Sequence, residues 1–146
     1  TLNIPMPAGC GDSEYIGVLH RLLVPAALAF QPDAILVSCG FDAHREDFLA
    51  SMDLSEKGFL EMTRIVRALA QQLCAGRLAF VLEGGYAPLS LQEGIRALLQ
   101  GLLEPAPTGP VAPSSIPEDL PGSLLRGILN RVCAVHSAQI PGLGAA

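Results

Sequence analysis

Two short apolar runs alternate with longer segments in which apolar residues recur at helical spacing. The runs at 34–38 and 78–82 are almost continuously apolar, which is typical of strands buried on both faces of a parallel sheet. Parallel strands are therefore predicted over about 34–39 and 77–82. Helices are predicted near 13–30, 55–74 and 89–103. This alternation favours an α/β fold, with helices packed on a parallel sheet.

Polar residues and breakers mark the expected ends of these helices. Ser13 and Ser55 stand where an N-cap side chain is needed. Gly76 follows the second helical stretch as a C-terminal stop. Pro25 lies inside the first helical stretch and should kink it, because proline has no N–H to donate.

The last third of the chain differs in composition. Residues 105–121 are rich in proline, which indicates a linker or an extended surface loop. A further helix is predicted over about 122–138, with a loose tail from Pro141. The expected organisation is one domain over 1–104, a linker over 105–121, and a terminal helix and tail over 122–146.

Charge and hydropathy exclude several classes of protein. The 146 residues carry a formal net charge of −5, which argues against a nucleic-acid partner because such proteins usually present a basic stripe. No apolar run reaches the length that a membrane helix needs, and no signal-peptide pattern is present. We therefore expect a cytoplasmic protein with no membrane partner. Because Thr1 is not preceded by Met, we also expect a chain that begins inside a longer protein.

The four cysteines are scattered, at Cys10, Cys39, Cys74 and Cys133. They form no Cys-x-x-Cys pair, so a structural zinc site of that type is not expected. Cys39 ends an apolar run and is predicted to be a buried free thiol. A reducing compartment fits this pattern.

The loop after the first predicted strand concentrates acidic residues and a histidine. Ligands of parallel sheets bind where strands end at their carboxyl side, so this position is a candidate site. Asp42, His44 and Asp47 are of the types that bind zinc in open catalytic sites. The alternative is a polar loop whose side chains cap nearby backbone groups.

The loop after the second predicted strand reads Glu-Gly-Gly-Tyr. Gly84 and Gly85 permit close approach of the backbone to a ligand, or a positive φ. The Tyr86 hydroxyl could donate a hydrogen bond to a carbonyl or an oxyanion. The alternative is a turn whose tyrosine covers the sheet edge. The glycine spacing matches neither common phosphate-binding motif, so a nucleotide-binding domain is disfavoured.

Four motifs in register resemble the second half of the zinc-dependent histone deacetylase family, which includes the acetylpolyamine amidohydrolases. They are Leu2-Asn3-Ile4-Pro5-Met6-Pro7, Gly11-Asp12-Ser13-Glu14-Tyr15, the run from Ser38 to Asp47, and Leu82-Glu83-Gly84-Gly85-Tyr86. The resemblance covers about residues 1–104, and the last two motifs resemble the class II and bacterial branch. It implies a three-layer α/β/α, arginase/deacetylase-like fold, of which this chain would be a C-terminal part.

The resemblance also implies roles for individual residues. Asp47 corresponds to a zinc ligand, and Tyr86 to the residue that polarises the acyl carbonyl and stabilises the oxyanion. Gly84 and Gly85 would line the base of the acyl-lysine tunnel, and Leu49 would lie at its rim and contact substrate. Since Leu49 carries no charge to bind a second ammonium, the resemblance favours acyl-lysine over a polyamine.

The chain departs from the family pattern in informative ways. The family's Asp-Pro-Leu is Asp47-Phe48-Leu49 here, so the loop lacks a stiffening proline. The paired histidines of the general base, and the other Asp and His ligands of the metal, are missing. We therefore expect the chain on its own to bind zinc weakly and to be inactive. Neither Asp42 nor His44 receives a chemical role from the resemblance.

The leading hypothesis is a portion of a zinc-dependent deacetylase or amidohydrolase. Its substrate would be an acylated lysine or a small acyl amide, hydrolysed by metal-activated water with an upstream histidine as base. The alternative is a non-catalytic α/β module of the same fold that binds a partner. Incomplete cover of the sheet would make a homo-oligomer possible in either case.

Overall fold

A computed structural model describes residues 1–105, 109–112, 123–141 and 143. Its elements, in chain order, are α1 (Asp12–Val18), a π-helical turn (Leu19–Leu23), α2 (Val24–Phe30), β1 (Ile35–Cys39), α3 (Glu56–Cys74), β2 (Leu78–Leu82), α4 (Pro88–Leu103) and α5 (Ser123–His136). The predicted strands and helices are all present, with bounds that differ by one or two residues.

The two strands pair in parallel, as predicted. Ile35 lies opposite Leu78 at one end of the register and Cys39 lies opposite Leu82 at the other. Helix α3 makes the crossover between the strands, which is the connection that a parallel pair requires. Both strands therefore end at the same edge of the sheet.

The helices cover one face of this sheet. Ile35, Cys39 and Phe80 pack among buried helical side chains. On the opposite face, Leu36 is 77% exposed and Val81 is 55% exposed. The prediction that both strands are buried on both faces is therefore wrong for the part of the chain that the structure describes. The apolar runs predicted burial of both faces of the sheet, but the described helices bury only one of them.

The first predicted helix is interrupted where Pro25 disturbs its hydrogen bonds. The Val24 N–H donates to the Leu19 carbonyl, five residues back, and the stretch before Pro25 forms a π-helical turn. Proline removes a donor and crowds the preceding turn, and a π-helical turn is a common way for a helix to absorb such a defect.

The helix caps were predicted correctly for α3 but not for α1. The Ser55 hydroxyl accepts the Lys57 N–H at 3.2 Å, as expected of an N-cap. Helix α1 begins at Asp12 with Gly11 as its N-cap, so the prediction for Ser13 is wrong. The Glu14 carboxylate accepts the Gly11 N–H at 2.8 Å and stabilises this helix end instead.

The end of α3 has the geometry expected of Gly76. Ala75 and Gly76 both adopt left-handed backbone conformations, with φ of 52° and 78°. The Gly76 N–H donates to the Ala70 carbonyl at 2.9 Å. This bond closes the last helical turn. The chain then enters β2 at Leu78.

Helix α5 confirms the helix predicted over about 122–138. It joins a buried cluster with side chains from the N-terminal segment, the N-terminal helices and the residues after α5: Cys10, Val18, Leu22, Leu125, Leu129, Val132, Cys133 and Leu143. Leu143 is buried, so the expectation of a loose tail is wrong at this residue. Most of the predicted linker over 105–121 lies outside the described residues, and the proposed domain boundaries stay predictions.

The cysteines of the described chain are free thiols. Cys39 is half-buried, so its predicted full burial is only partly met; burial raises the pKa of its thiol. No helix among the described residues is long and apolar enough to cross a membrane.

Candidate active site

The candidate site lies where β1 and β2 end, because the loops that follow them leave the sheet together. The Glu83 N–H donates to the Cys39 carbonyl at 3.1 Å, and the Phe41 N–H donates to the Gly84 carbonyl at 2.8 Å. These bonds continue the parallel ladder beyond the strands. They bring the acidic loop and the Glu-Gly-Gly-Tyr loop into direct contact.

Asp47 is buried between these loops, and its carboxylate accepts three backbone N–H groups. Oδ1 accepts from Leu49 at 3.0 Å, whereas Oδ2 accepts from Tyr86 at 2.7 Å and from Ala87 at 3.1 Å. Burial acts to raise the pKa of Asp47, but these hydrogen bonds outweigh it and hold the pKa below its usual value. Asp47 is therefore an anion at neutral pH.

The distribution of these donors bears on metal binding. Oδ2 receives two donors, which occupy both of its lone pairs, whereas Oδ1 receives one and keeps a lone pair for a cation. The predicted role of Asp47 as a zinc ligand stays a prediction. Among the residues that the structure describes, no three His, Cys, Asp or Glu side chains are grouped as a metal site. A catalytic zinc site normally takes three protein ligands, so the other ligands would have to come from elsewhere.

Tyr86 and Leu49 are both tied to Asp47, from different parts of the chain. Each is held by its own backbone N–H to the Asp47 carboxylate, and each side chain is 55% exposed. The two residues predicted for oxyanion stabilisation and for the substrate rim thus have backbones anchored on the same carboxylate. Their predicted chemical roles are not tested by this arrangement and stay predictions.

The two glycines before Tyr86 are sterically constrained. Gly85 has a φ of 135°, and a Cβ there would lie 2.9 Å from Leu91 Cδ1 and 3.1 Å from Phe41 Cβ. A Cβ on Gly84 would lie 2.9 Å from an oxygen of Asp42. The backbone conformation and the close neighbours of Gly85 therefore require glycine there, whereas a Cβ on Gly84 would meet only the flexible side chain of Asp42.

His44 supports the acidic loop from inside. Its buried ring stacks on Phe59, with centroids 6.3 Å apart and planes 9° apart. Its Nδ1 accepts the Glu46 N–H at 3.1 Å, so this side chain caps backbone as the alternative interpretation of the loop expected. A Cβ on Gly40 or Gly84 would lie 2.7 or 2.9 Å from an oxygen of the Asp42 carboxylate.

The sequence did not predict the contacts that join the start of α1 to the start of α3. The Asp12 carboxylate accepts the Ser55 N–H at 2.8 Å and the Ser55 hydroxyl at 2.5 Å. Gly58 leaves room for that carboxylate. Asp12 belongs to one of the four recognised motifs, but its partner is 43 residues away. No local signal pairs these two residues.

Comparison with known proteins identifies the family. Residues 1–102 match the histone deacetylase domain. The chain belongs to the histone deacetylase family. Histone deacetylase 14, chloroplastic, of Arabidopsis thaliana is 40% identical over 103 residues, which are 70% of this chain and 24% of that protein. The human polyamine deacetylase HDAC10 is 38% identical over 117 residues, 77% of this chain and 17% of that protein.

The solved structures of deacetylases share the fold of this chain. The structure of the histone deacetylase Clr3 superposes with a TM-score of 0.79 at 30% identity, covering 97% of this chain and 22% of that one. The predicted α/β deacetylase fold is confirmed, as is the predicted class II and bacterial branch of the family. This chain spans about a quarter or less of the length of these relatives.

Proposed function

We propose that this chain supplies part of the active site of a zinc-dependent deacetylase that hydrolyses the acyl amide of a modified lysine or a related amine. Membership of the histone deacetylase family supports deacetylation in general. The observation that carries the proposal is the Asp47 carboxylate, which accepts the backbone N–H groups of Tyr86 and Ala87. It joins the proposed metal ligand to the loop of the proposed oxyanion donor.

Asp47 would hold the metal through Oδ1. Its three backbone donors fix the direction of the carboxylate without using a flexible side chain, and its low pKa keeps it charged. When bound, zinc would lower the pKa of a water molecule and polarise the acyl carbonyl. No three His, Cys, Asp or Glu side chains of the described residues form a metal site, and we assign the remaining ligands and the general base to other parts of the complete enzyme.

Tyr86 would stabilise the negative charge that develops on the carbonyl oxygen. A phenolic hydroxyl that donates to this oxygen binds more tightly as charge builds, which lowers the barrier rather than the ground state. Because the backbone N–H of Tyr86 donates to Asp47, the tyrosine is held near the proposed metal ligand without using its hydroxyl. The side chain is half-exposed and free to approach a bound substrate.

The remaining assignments concern the substrate. Gly84 and Gly85 have no side chains to fill the space beside Asp42 and Leu91, and they would line the inner end of an acyl-lysine tunnel. Leu49 would contact the substrate at the rim. An uncharged leucine gives no partner for a second ammonium, so the proposal favours acyl-lysine over an acetylated polyamine. A cytoplasmic location also stays a proposal, since one relative is named as chloroplastic.

A second candidate function is a non-catalytic module that keeps the deacetylase fold and binds a partner. The exposed apolar face of the sheet favours it, with Leu36 and Val81 unburied in the described chain. In this candidate neither Asp47 nor Tyr86 is needed for function, so the zinc content of the complete protein should not depend on Asp47. It is therefore distinguished from the first by the metal content of variants.

The proposal is tested by measuring zinc in the purified complete protein. Wild-type protein should carry one zinc per site, and Asp47→Ala should lose most of it because a ligand is removed. Asp53→Asn is the matched control, since Asp53 is an exposed carboxylate in the same loop that pairs only weakly with Arg45 at 3.8 Å. Full zinc occupancy in Asp47→Ala would reject Asp47 as a ligand.

A further inference from the structure

Phe48 is a large aromatic side chain that lies in solvent, in the loop that follows β1. It is 75% exposed, whereas Phe41 and Phe59 are 2% and 5% exposed. Covering an aromatic ring of this exposure would recover hydrophobic free energy. A single exposed apolar residue needs no explanation, so the residues around Phe48 decide whether it marks a contact surface.

Those residues make Phe48 part of a larger apolar surface. Leu49 and Tyr86 are each 55% exposed. The Asp47 carboxylate accepts the N–H groups of Leu49 at 3.0 Å and of Tyr86 at 2.7 Å. The two backbones are therefore separated by no more than one carboxylate and its two hydrogen bonds. Since Phe48 precedes Leu49 in the chain, three exposed side chains with large apolar parts start from one place on the two loops.

The backbone that carries Phe48 is held on both sides. The Asp47 N–H donates to the His44 carbonyl at 2.8 Å, and the Leu49 N–H donates to Oδ1 of Asp47. A side chain on a backbone that is already ordered loses less conformational entropy when it binds a partner. Phe48 therefore has the fixed position that a specific contact requires.

The residue type at this position enlarges the apolar surface. The family pattern has a proline where this chain has Phe48. Aromatic side chains are enriched at binding surfaces because they bury a large area with only two side-chain torsions to fix. The difference from proline therefore favours contact with a partner group that is itself large and apolar.

We propose that Phe48 is a specificity-determining residue, which contacts a large apolar side chain next to the acylated lysine of a peptide substrate. The inference rests on the proposed function, because it concerns the same substrate, but it needs Asp47 only as an anchor of backbone N–H groups. When the acyl group lies at Tyr86, the residues next to the lysine stay at the exposed rim of the two loops. An acylated polyamine has no side chain for Phe48 to contact.

Two peptides that differ only beside the acetyl-lysine measure this contact in the complete protein. One carries leucine and the other glycine on both sides, and kcat/KM is measured for each. Dissociation constants are measured by fluorescence anisotropy in the Tyr86→Phe background, where turnover should be slow. Phe48→Ala removes the ring, and Phe48→Leu keeps an apolar side chain. Phe30→Ala is the matched control, because Phe30 is 81% exposed but lies at the end of α2, before β1 begins.

We expect the wild-type protein to favour the leucine peptide about tenfold, the effect of partly burying one leucine and one phenylalanine side chain. Phe48→Ala should reduce this preference to about threefold or less, by weakening the leucine peptide alone. Phe48→Leu should keep most of the preference, and Phe30→Ala all of it. The change should appear in Kd and KM rather than in kcat, because the contact is equally strong in the ground state and the transition state.

Equal affinity of the wild-type protein for the two peptides would overturn the inference. A Phe48→Ala variant that loses affinity for both peptides alike, or that does not fold, would also overturn it, because Phe48 would then support the structure of the complete protein. If the wild-type protein neither binds nor deacetylates either peptide, the proposed function fails. If it acts on both and Phe48→Ala keeps the full leucine preference, only the role of Phe48 fails.

Discussion

The backbone N–H of Tyr86 donates a 2.7 Å hydrogen bond to the carboxylate of Asp47, 39 residues earlier in the chain. The bond uses the main chain of one residue and the side chain of the other. It therefore fixes the two loops together while leaving the tyrosine hydroxyl available. Because Ala87 donates to the same oxygen, the approach of the loops depends on the charge of Asp47.

The first prediction concerns the pH dependence of stability. The pKa of Asp47 is lower in the folded chain than its ordinary value of 3.8, so the folded state binds this proton less readily than the unfolded state. The stabilisation from Asp47 is therefore complete above the ordinary value and is lost as pH falls towards the folded pKa. Urea unfolding between neutral pH and pH about 3 should show this loss.

Asp47→Asn is the variant that isolates this contribution. It should flatten the acid limb of the stability curve, because its amide does not titrate. Asp53→Asn removes an exposed carboxylate from the same loop without touching the backbone donors, and should leave the limb steep. An Asp47→Asn curve that parallels the wild type would contradict the assignment.

The second prediction concerns Gly85. Gly85→Ala should destabilise the protein by about 1–3 kcal/mol, because its φ is 135° and the new Cβ would contact Leu91 and Phe41. Gly127→Ala is the matched control: Gly127 lies inside α5, with open space around the position of a Cβ. That variant should be about 1 kcal/mol more stable than wild type. Equal effects of the two changes in urea unfolding would be inconsistent with the described loop geometry.

Local pattern predicted most of the fold and only part of the site. The strands, the long helices and the Ser55 cap follow from periodicity and capping chemistry, which depend on neighbouring residues. The Ser13 cap was predicted wrongly because the Glu14 side chain reaches back to the Gly11 N–H and takes over the stabilisation of that helix end. The one-sided cover of the sheet could not be predicted, since an apolar run does not say which helices pack on it.

The site residues were found through motifs, whereas their partners were not. Asp47 stood out as a carboxylate after an apolar strand, but two of its three donors come from a loop 39 and 40 residues later. His44 stood out as a metal-ligand type, yet its ring stacks on Phe59 and accepts a backbone N–H. Only the packing of α3 against the loop decides between those two roles.

The third prediction concerns the isolated 146-residue chain. Leu36 and Val81 expose an apolar sheet face, so the chain should self-associate, and sedimentation velocity should detect species larger than a monomer. It should bind zinc weakly and show no deacylase turnover. Leu36→Gln should raise the monomer fraction, whereas Leu103→Gln, at an 85% exposed position on α4, should not. A chain that is monomeric at all concentrations would contradict this account of the open face.

The fourth prediction concerns substrate choice in the complete protein. An acetyl-lysine peptide should have a higher kcat/KM than acetylspermidine, because Leu49 offers no charge at the rim. Leu49→Glu should shift the ratio towards the polyamine by roughly 1.5- to 5-fold, which corresponds to about 0.2–1 kcal/mol for an exposed ion pair. A wild-type preference for acetylspermidine would refute the assignment of Leu49.

The most direct test of the central claim, that Asp47 and Tyr86 serve one catalytic site, is the turnover and zinc content of Tyr86→Phe in the complete protein. The change removes the hydroxyl but keeps the backbone N–H that donates to Asp47. We predict unchanged zinc content and a kcat for an acetyl-lysine peptide lowered by roughly two to three orders of magnitude, the usual effect of losing one oxyanion donor. A Tyr86→Phe protein that turns over substrate at the wild-type rate with its zinc in place would contradict the claim.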